Sequence, residues 1–250
     1  MTRPERRLLL AAAAFAAWTA IVTSGPLSGL SGFCASAGAS AARGWAGIDA
    51  VLRLNSPGML VGAWGLMAAA MMLPLLALPL DHVWERSAGR RRVRAVFLFL
   101  AGYGACWLLA GALLVPAAVA LRAVAGGAAS PLILAALVAV AWQASPWKQA
   151  CLNACHRRPP LAAFGLAAER DAIAFGVTHG CVCVGGCWAL MLLALCAPGS
   201  HLVGMAGVAL FVLAERIERP APRRWGLRRP TVAPAVLRNA VRGAFQQVHA

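Results

Sequence analysis

The chain has 250 residues, 61% of them hydrophobic and 12% charged, with a mean hydropathy of +0.72 and a formal net charge of +15. A soluble domain carries about 25% charged residues, so this chain lacks the coat it would need in water. Its positive charge alone would suit a nucleic-acid partner, but the arginines gather between apolar runs, where topology and anionic lipid headgroups account for them and no nucleic acid is expected.

The apolar runs predict an all-α membrane protein, a bundle of about six transmembrane helices. At 1.5 Å rise per residue a crossing takes about 20 apolar residues, and the expected spans are 8–24, 58–80, 95–120, 131–150, 176–197 and 202–218. The first follows Arg3, Arg6 and Arg7 and resembles a signal peptide. No A-x-A cleavage site closes it, because Thr23, Ser24, Gly25 and Pro26 come next, so an uncleaved anchor is expected. The external segment 24–57 is rich in Gly, Ser and Ala up to Gly47 and reads as irregular. Trp45, Ile48, Val51 and Leu52 then suit a short interfacial helix. In the second span, Met67, Met71 and Met72 occupy the inner half and Pro74 should kink it. A loop over 81–94 holds His82 and five arginines. After the sixth span, 219–250 forms a basic cytoplasmic tail. There Val236, Leu237, Ala240, Val241, Ala244, Phe245 and Val248 share one helical face, opposite Arg238, Arg242 and Gln246. That pattern suits a helix lying on the membrane surface, and a frayed tail is equally compatible. No internal or inverted repeat is visible.

Orientation follows from the basic residues. Arg3, Arg6 and Arg7 precede span one; Arg86, Arg90, Arg91, Arg92 and Arg94 lie between spans two and three. Lys148, Arg157, Arg158 and Arg170 lie between spans four and five, and eight arginines fall between 216 and 242. Only Arg43, Arg53 and Arg122 occupy the alternate loops, so 20 of the 23 basic residues lie on one side. The positive-inside rule puts both termini there, in the cytoplasm.

Five of the eight cysteines fall within 151–187. Cys151 and Cys155 are four apart and share a helical face. His179, Cys183 and Cys187 repeat that interval on the next span, with Cys181 on the opposite side. Cysteine also packs as a small hydrophobe, which suffices for Cys106 and Cys196. Two matched stripes on consecutive spans, meeting at one face of the membrane, instead suggest metal ligands, since a ligand-bearing residue inside a span is functional by default. Further candidates at that level are Cys181, His156, Met67, Met71 and Glu215. The methionines also read as packing, and Glu215 as an interface ion pair with Arg216.

Three segments, Trp64-Gly-Leu-Met67-Ala-Ala-Ala-Met71-Met72-Leu-Pro74, Trp142-Gln143-Ala-Ser-Pro146-Trp-Lys148-Gln-Ala-Cys151-Leu-Asn-Ala-Cys155 and His179-Gly180-Cys-Val-Cys183-Val-Gly185-Gly-Cys187-Trp188-Ala-Leu-Met191, resemble a bacterial family of predicted metal-binding integral membrane proteins of unassigned function. The resemblance covers about 55–218 and implies a multi-pass protein of the bacterial inner membrane. Family members carry an aromatic residue where Val182 stands and a Cys-Cys pair ending at Cys187. Here Gly186 takes the first place of that pair, and Cys181 is an added thiol.

Thiolates and thioethers select Cu(I), with zinc as the competitor. Acidic residues are too few for calcium, magnesium or a di-iron site. The expected function is therefore copper handling (transport, insertion or delivery), with a metallochaperone or metalloenzyme as partner. A quinone-linked thiol–disulfide oxidoreductase is the rival, weakened by the absence of any C-x-x-C and by thiols that face the reducing cytoplasm. A haem protein would use His179 as axial ligand, but His82 sits in a loop and His201 on the far side. No P-loop is present for an ATP-driven pump. Reporter fusions at Ala88 and Ala250 should both report cytoplasm; a periplasmic signal at either would overturn the topology.

Overall fold

The computed structural model describes residues 2–23, 57–125, 131–197 and 201–228, and these are all-helical. The expected helices over 45–52 and 234–248, and Cys34, lie outside the described residues. Helix α1 (Arg3–Thr23) is followed by α2 (Pro57–Met72), which runs through a 3-10 turn (Leu73–Leu76) into α3 (Ala77–Arg86). A second 3-10 turn (Gly89–Arg91) leads into α4 (Arg92–Val124); α5 (Pro131–Gln143), α6 (Pro146–Ala154), α7 (Gly165–Cys196) and α8 (His201–Ile217) follow. Four segments are long and apolar enough to cross a membrane: Arg3–Thr23, Gly58–Arg86, Gly89–Arg122 and Gly165–Cys196. The chain is a multi-pass membrane protein.

At two helix breaks, one at Pro74 and one at the Ser145 cap, a carbonyl is left over, and each finds a distant donor. Pro74 has no N–H for Ala70, whose carbonyl accepts from Trp18 Nε1 of α1 at 3.1 Å. The expected kink is thus also the docking point of the first helix. The segment 131–150, expected as one span, is instead two helices. Ser145 caps α6 by accepting from the Lys148 amide at 3.2 Å, and Pro146 fills the first turn. The Ala144 carbonyl that Lys148 would have satisfied accepts from Gly226 N at 2.9 Å. Gly226 belongs to a tail segment laid along α6. Asn153 pairs with both the N–H and the carbonyl of Ala221, and Trp147 meets Trp225 edge to face with centroids 5.7 Å apart.

Two other expectations change at the basic end. His82 stands on α3 rather than in a loop, its Nε2 2.8 Å from the Pro159 carbonyl oxygen. Helix α7 begins at Gly165, eleven residues before the expected span, because helical hydrogen bonding does not stop where apolar sequence does. At 32 residues it is about 48 Å long against about 30 Å of hydrocarbon. In its second turn Glu169 pairs with Arg94 at 2.9 Å.

Helix α7 is the centre of the bundle, packed by α4, α5, α6 and α8. Its main contact is α4, and the two run parallel: Arg94 meets Glu169, Phe99 meets Gly176, Cys106 meets Gly180 and Arg122 meets Leu195. A Cβ on Gly176 would stand 2.2 Å from the Phe99 carbonyl oxygen, and one on Gly180 would stand 2.8 Å from Cys106 Cβ. Gly176 and Gly180 form a G-x-x-x-G interval whose missing side chains let the backbones touch.

The segments expected at the cytoplasmic face gather at one end of the bundle. Asp81 is clasped there by Arg6 (Nη2–Oδ1 2.6 Å) and Arg7 (Nη2–Oδ2 3.1 Å), while Arg6 and Arg92 both lie over the Trp84 ring. A buried carboxylate is tolerated when it is paired and hydrogen-bonded in this way.

Gly176→Val drives its side chain into backbone, which no rotamer can relieve. It should cost about 3 kcal/mol, or roughly 6–12 °C in the melting midpoint of detergent-solubilised protein. Gly104→Ala, with nothing within 4 Å of the added methyl, should leave the midpoint unchanged.

Candidate metal centre

The stripe on α7 is fully interior: His179 is 4% exposed, and Cys183 and Cys187 are each 1% exposed. The rings of Phe99, Tyr103 and Phe175 enclose His179 with centroids 5.7 to 6.1 Å away. None of the three gives its Nε2 a hydrogen bond, so this buried nitrogen is unpartnered. One turn on, the Cys183 thiol lies 3.2 Å from the Tyr103 hydroxyl. The Cys187 thiol donates to the Cys183 carbonyl at 3.1 Å. Met67, Met71 and Met72 of α2 are buried in the same core as the two thiols. Met191 continues the stripe by a further four residues and is also buried. The sequence reading overlooked it as a donor, although the repeated interval announces it.

Helix α6 sends its two thiols in different directions. Cys151 packs on the Gly185 side of α7, its Sγ 2.7 Å from where a Cβ would stand. Cys155 is within electrostatic range of Cys183 and Cys187. Burial pushes the Cys155 thiol up to about 12, against the opposing charge of Arg216. His156, at the helix end, is held below the ordinary imidazole range first by partial burial and then by Arg216, with Arg158 and Arg228 adding to it. Cys181 is exposed on the far side of α7 and meets Cys106 instead of the stripe. Among the described residues no three His, Cys, Asp or Glu side chains converge as a ready cage.

Glu215 does not pair with its neighbour Arg216. Its Oε1 takes the ammonium of Lys148, a lysine only 2% exposed, which also lies over the Phe211 ring. Its Oε2 has no partner, and neither do the two side-chain polar atoms of Gln143. Arg216 instead lies within electrostatic range of the thiols, acting on Cys183, Cys155 and Cys187 and on Tyr103. Sequence reasoning counted Lys148 only as a topology marker, and Arg216 as that and as the ion-pair partner of Glu215. Nothing in their spacing shows that one neutralises a carboxylate and the other faces sulfur. The arrangement can hold a soft cation among thiols, an imidazole and thioethers while a fixed positive charge offsets the thiolates.

No curated protein and no solved structure matches the chain. A model of the PpoB2 copper chaperone family matches residues 61–238, well over half its length, and the chain belongs to that family. Membership narrows the general metal-binding resemblance to copper. The matched region begins within α2 and leaves α1 outside it.

The Lys148–Glu215 pair has a measurable signature. Removing one partner strands a buried charge, so Lys148→Met should destabilise by about 3–5 kcal/mol, whereas Lys148→Met with Glu215→Gln should recover most of that. Thermal melts of the two variants check it; equal losses would show that the pair is not coupled.

Proposed function

We propose that this copper chaperone takes up Cu(I) within the bacterial inner membrane and delivers it to a partner metalloprotein. Copper here is cargo. Cys183, Cys187 and His179 are the principal donors. Cys155, Cys151, Met67 and Met71 are donors that relay the ion, with His156 and Glu215 at the margins. The observation that carries this reading is the unpartnered Nε2 of His179, buried one turn from a buried thiol on the central helix. An orphaned buried nitrogen costs about 1–3 kcal/mol, and a soft metal ion would satisfy it.

The surrounding groups suit transfer. Two thiolates and one Cu(I) leave a single negative charge, which Arg216 offsets. Tyr103 holds the Cys183 sulfur in its apolar setting. Donors at four-residue intervals stand about 6 Å apart along α7, close enough for the ion to gain one sulfur before it leaves another. Six crossings, counted as the four long segments together with α5–α6 and α8, put the Cys151–Cys155 end at the cytoplasmic face, where copper enters or leaves. Anionic lipids cover the arginines there.

Zinc competes for thiolates but prefers a four-donor tetrahedron. Reduced, detergent-solubilised protein titrated with Cu(I) against a chromogenic Cu(I) chelator should lose one bound equivalent in the variant Cys183→Ser with Cys187→Ser, with its helical content intact. Unchanged copper stoichiometry in that variant, or zinc retained in preference to Cu(I), would sink the proposal.

A further inference from the structure

A second pair of thiols lies outside the stripe. Cys106 of α4 and Cys181 of α7 face each other across the helix seam, Sγ to Sγ 3.6 Å. The contact depends on Gly180: a Cβ there would stand 2.8 Å from Cys106 Cβ and 3.1 Å from its Sγ, so only glycine lets Cys106 in. Two sulfurs that share one ion at about 2.3 Å each stand at most about 4.6 Å apart, the limit reached when only those two hold it in a line. The pair is therefore already at bridging distance. Cys181 is exposed and Cys106 half-buried, and the exposed neighbours Ala105, Leu108, Leu109 and Val177 are apolar, while the hydroxyl of exposed Thr178 is spent on the Ala174 carbonyl. Cys181 is ten residues beyond Asp171, about 15 Å along α7, which puts the pair at bilayer depth on the outer face of the bundle.

We infer that Cys106 and Cys181 form a second Cu(I) site, a two-sulfur station on the outer face of the α4–α7 seam. It extends the copper reading given above to a separate pair of residues. Binding replaces one S–H proton by Cu(I): the S–H bond breaks, an S–Cu bond forms, the proton leaves to water, and the second thiol donates a lone pair. No electrons change hands. A singly charged ion exchanged for one proton leaves the net charge in the bilayer unaltered, so the cost of an uncompensated charge there is avoided. Zinc finds only two donors and lacks its tetrahedron. The two stations lie on opposite sides of α7, about 10 Å apart by helix diameter. Tyr103 and Cys106 are one turn apart on α4, so one helix touches both.

The test is Cu(I) titration of the full chain, reduced and in detergent, by competition with a chromogenic chelator. Wild type should bind two equivalents. Cys106→Ser with Cys181→Ser should bind one, Cys183→Ser with Cys187→Ser should bind one, and the fourfold variant none. Should the substitution at Cys106 disturb the seam, Cys181→Ala alone, at an exposed position, must still remove one equivalent. The outer site should also release one proton per copper in weakly buffered solution. If the Cys183/Cys187 variant and the fourfold variant bind equally, or if Cys181→Ala binds as wild type, this site is overturned while the inner one stands. If only the Cys106/Cys181 variant loses copper, the inner reading fails and this one holds.

Discussion

The approach of α4 to α7, with backbone against backbone at Gly176, sets the positions of almost everything else. Lipid gives no hydrophobic push between helices, so a seam in a membrane is held by dispersion contact and by the few polar groups it can pair. Here the missing side chains at Gly176 and Gly180 convert two long helices into one platform. Tyr103 comes from one side of it and His179 and Cys183 from the other. A wider seam would separate the hydroxyl from the thiol and open the ring cage around His179. It would also part Cys106 from Cys181. Inner stripe and outer pair therefore depend on the same two glycines.

Around this platform the remaining helices attach by polar contacts, each traceable to a break or an end. Trp18 fixes α1 through the carbonyl that Pro74 releases, and Asp81 secures its beginning between two arginines. Arg122 donates to the Leu195 carbonyl at 2.6 Å, a cation at the C-terminal end of α7 where the helix dipole favours it. Lys148 fastens α6 to α8 through Glu215. Its two latches join α1, which lies outside the matched family region, to a bundle built on α4 and α7.

Much of this was legible in the sequence, and what was not has a physical reason. Apolar length and Arg clusters gave the helices and the common end on which the basic segments gather. The four-residue intervals of His179, Cys183 and Cys187 gave the buried stripe, because the periodicity of a helix is fixed. Pro146 was read as part of a span although a proline with serine before it is a helix start; hydropathy averaged over 131–150 hid the break. The direction of Cys151 toward Gly185, the partner of Glu215 and the position of Arg216 depend on how helices rotate against one another. No single-helix pattern encodes that rotation. The pairing of Cys106 with Cys181 was invisible for the same reason, since the two lie 75 residues apart.

The break between α5 and α6 also bears on how the protein is made. The Ala144 carbonyl receives its partner from Gly226, which leaves the ribosome some eighty residues later. At about 5–20 residues per second that interval is roughly 4–16 s. Throughout it, the corner has only water or lipid headgroups to satisfy it. Asn153 waits somewhat less long for Ala221, and Trp147 about as long for Trp225. Closure over α6 is therefore among the last events of biogenesis. A nascent chain halted before residue 226 carries an open corner beside Cys151 and Cys155, and a finished one carries it sealed.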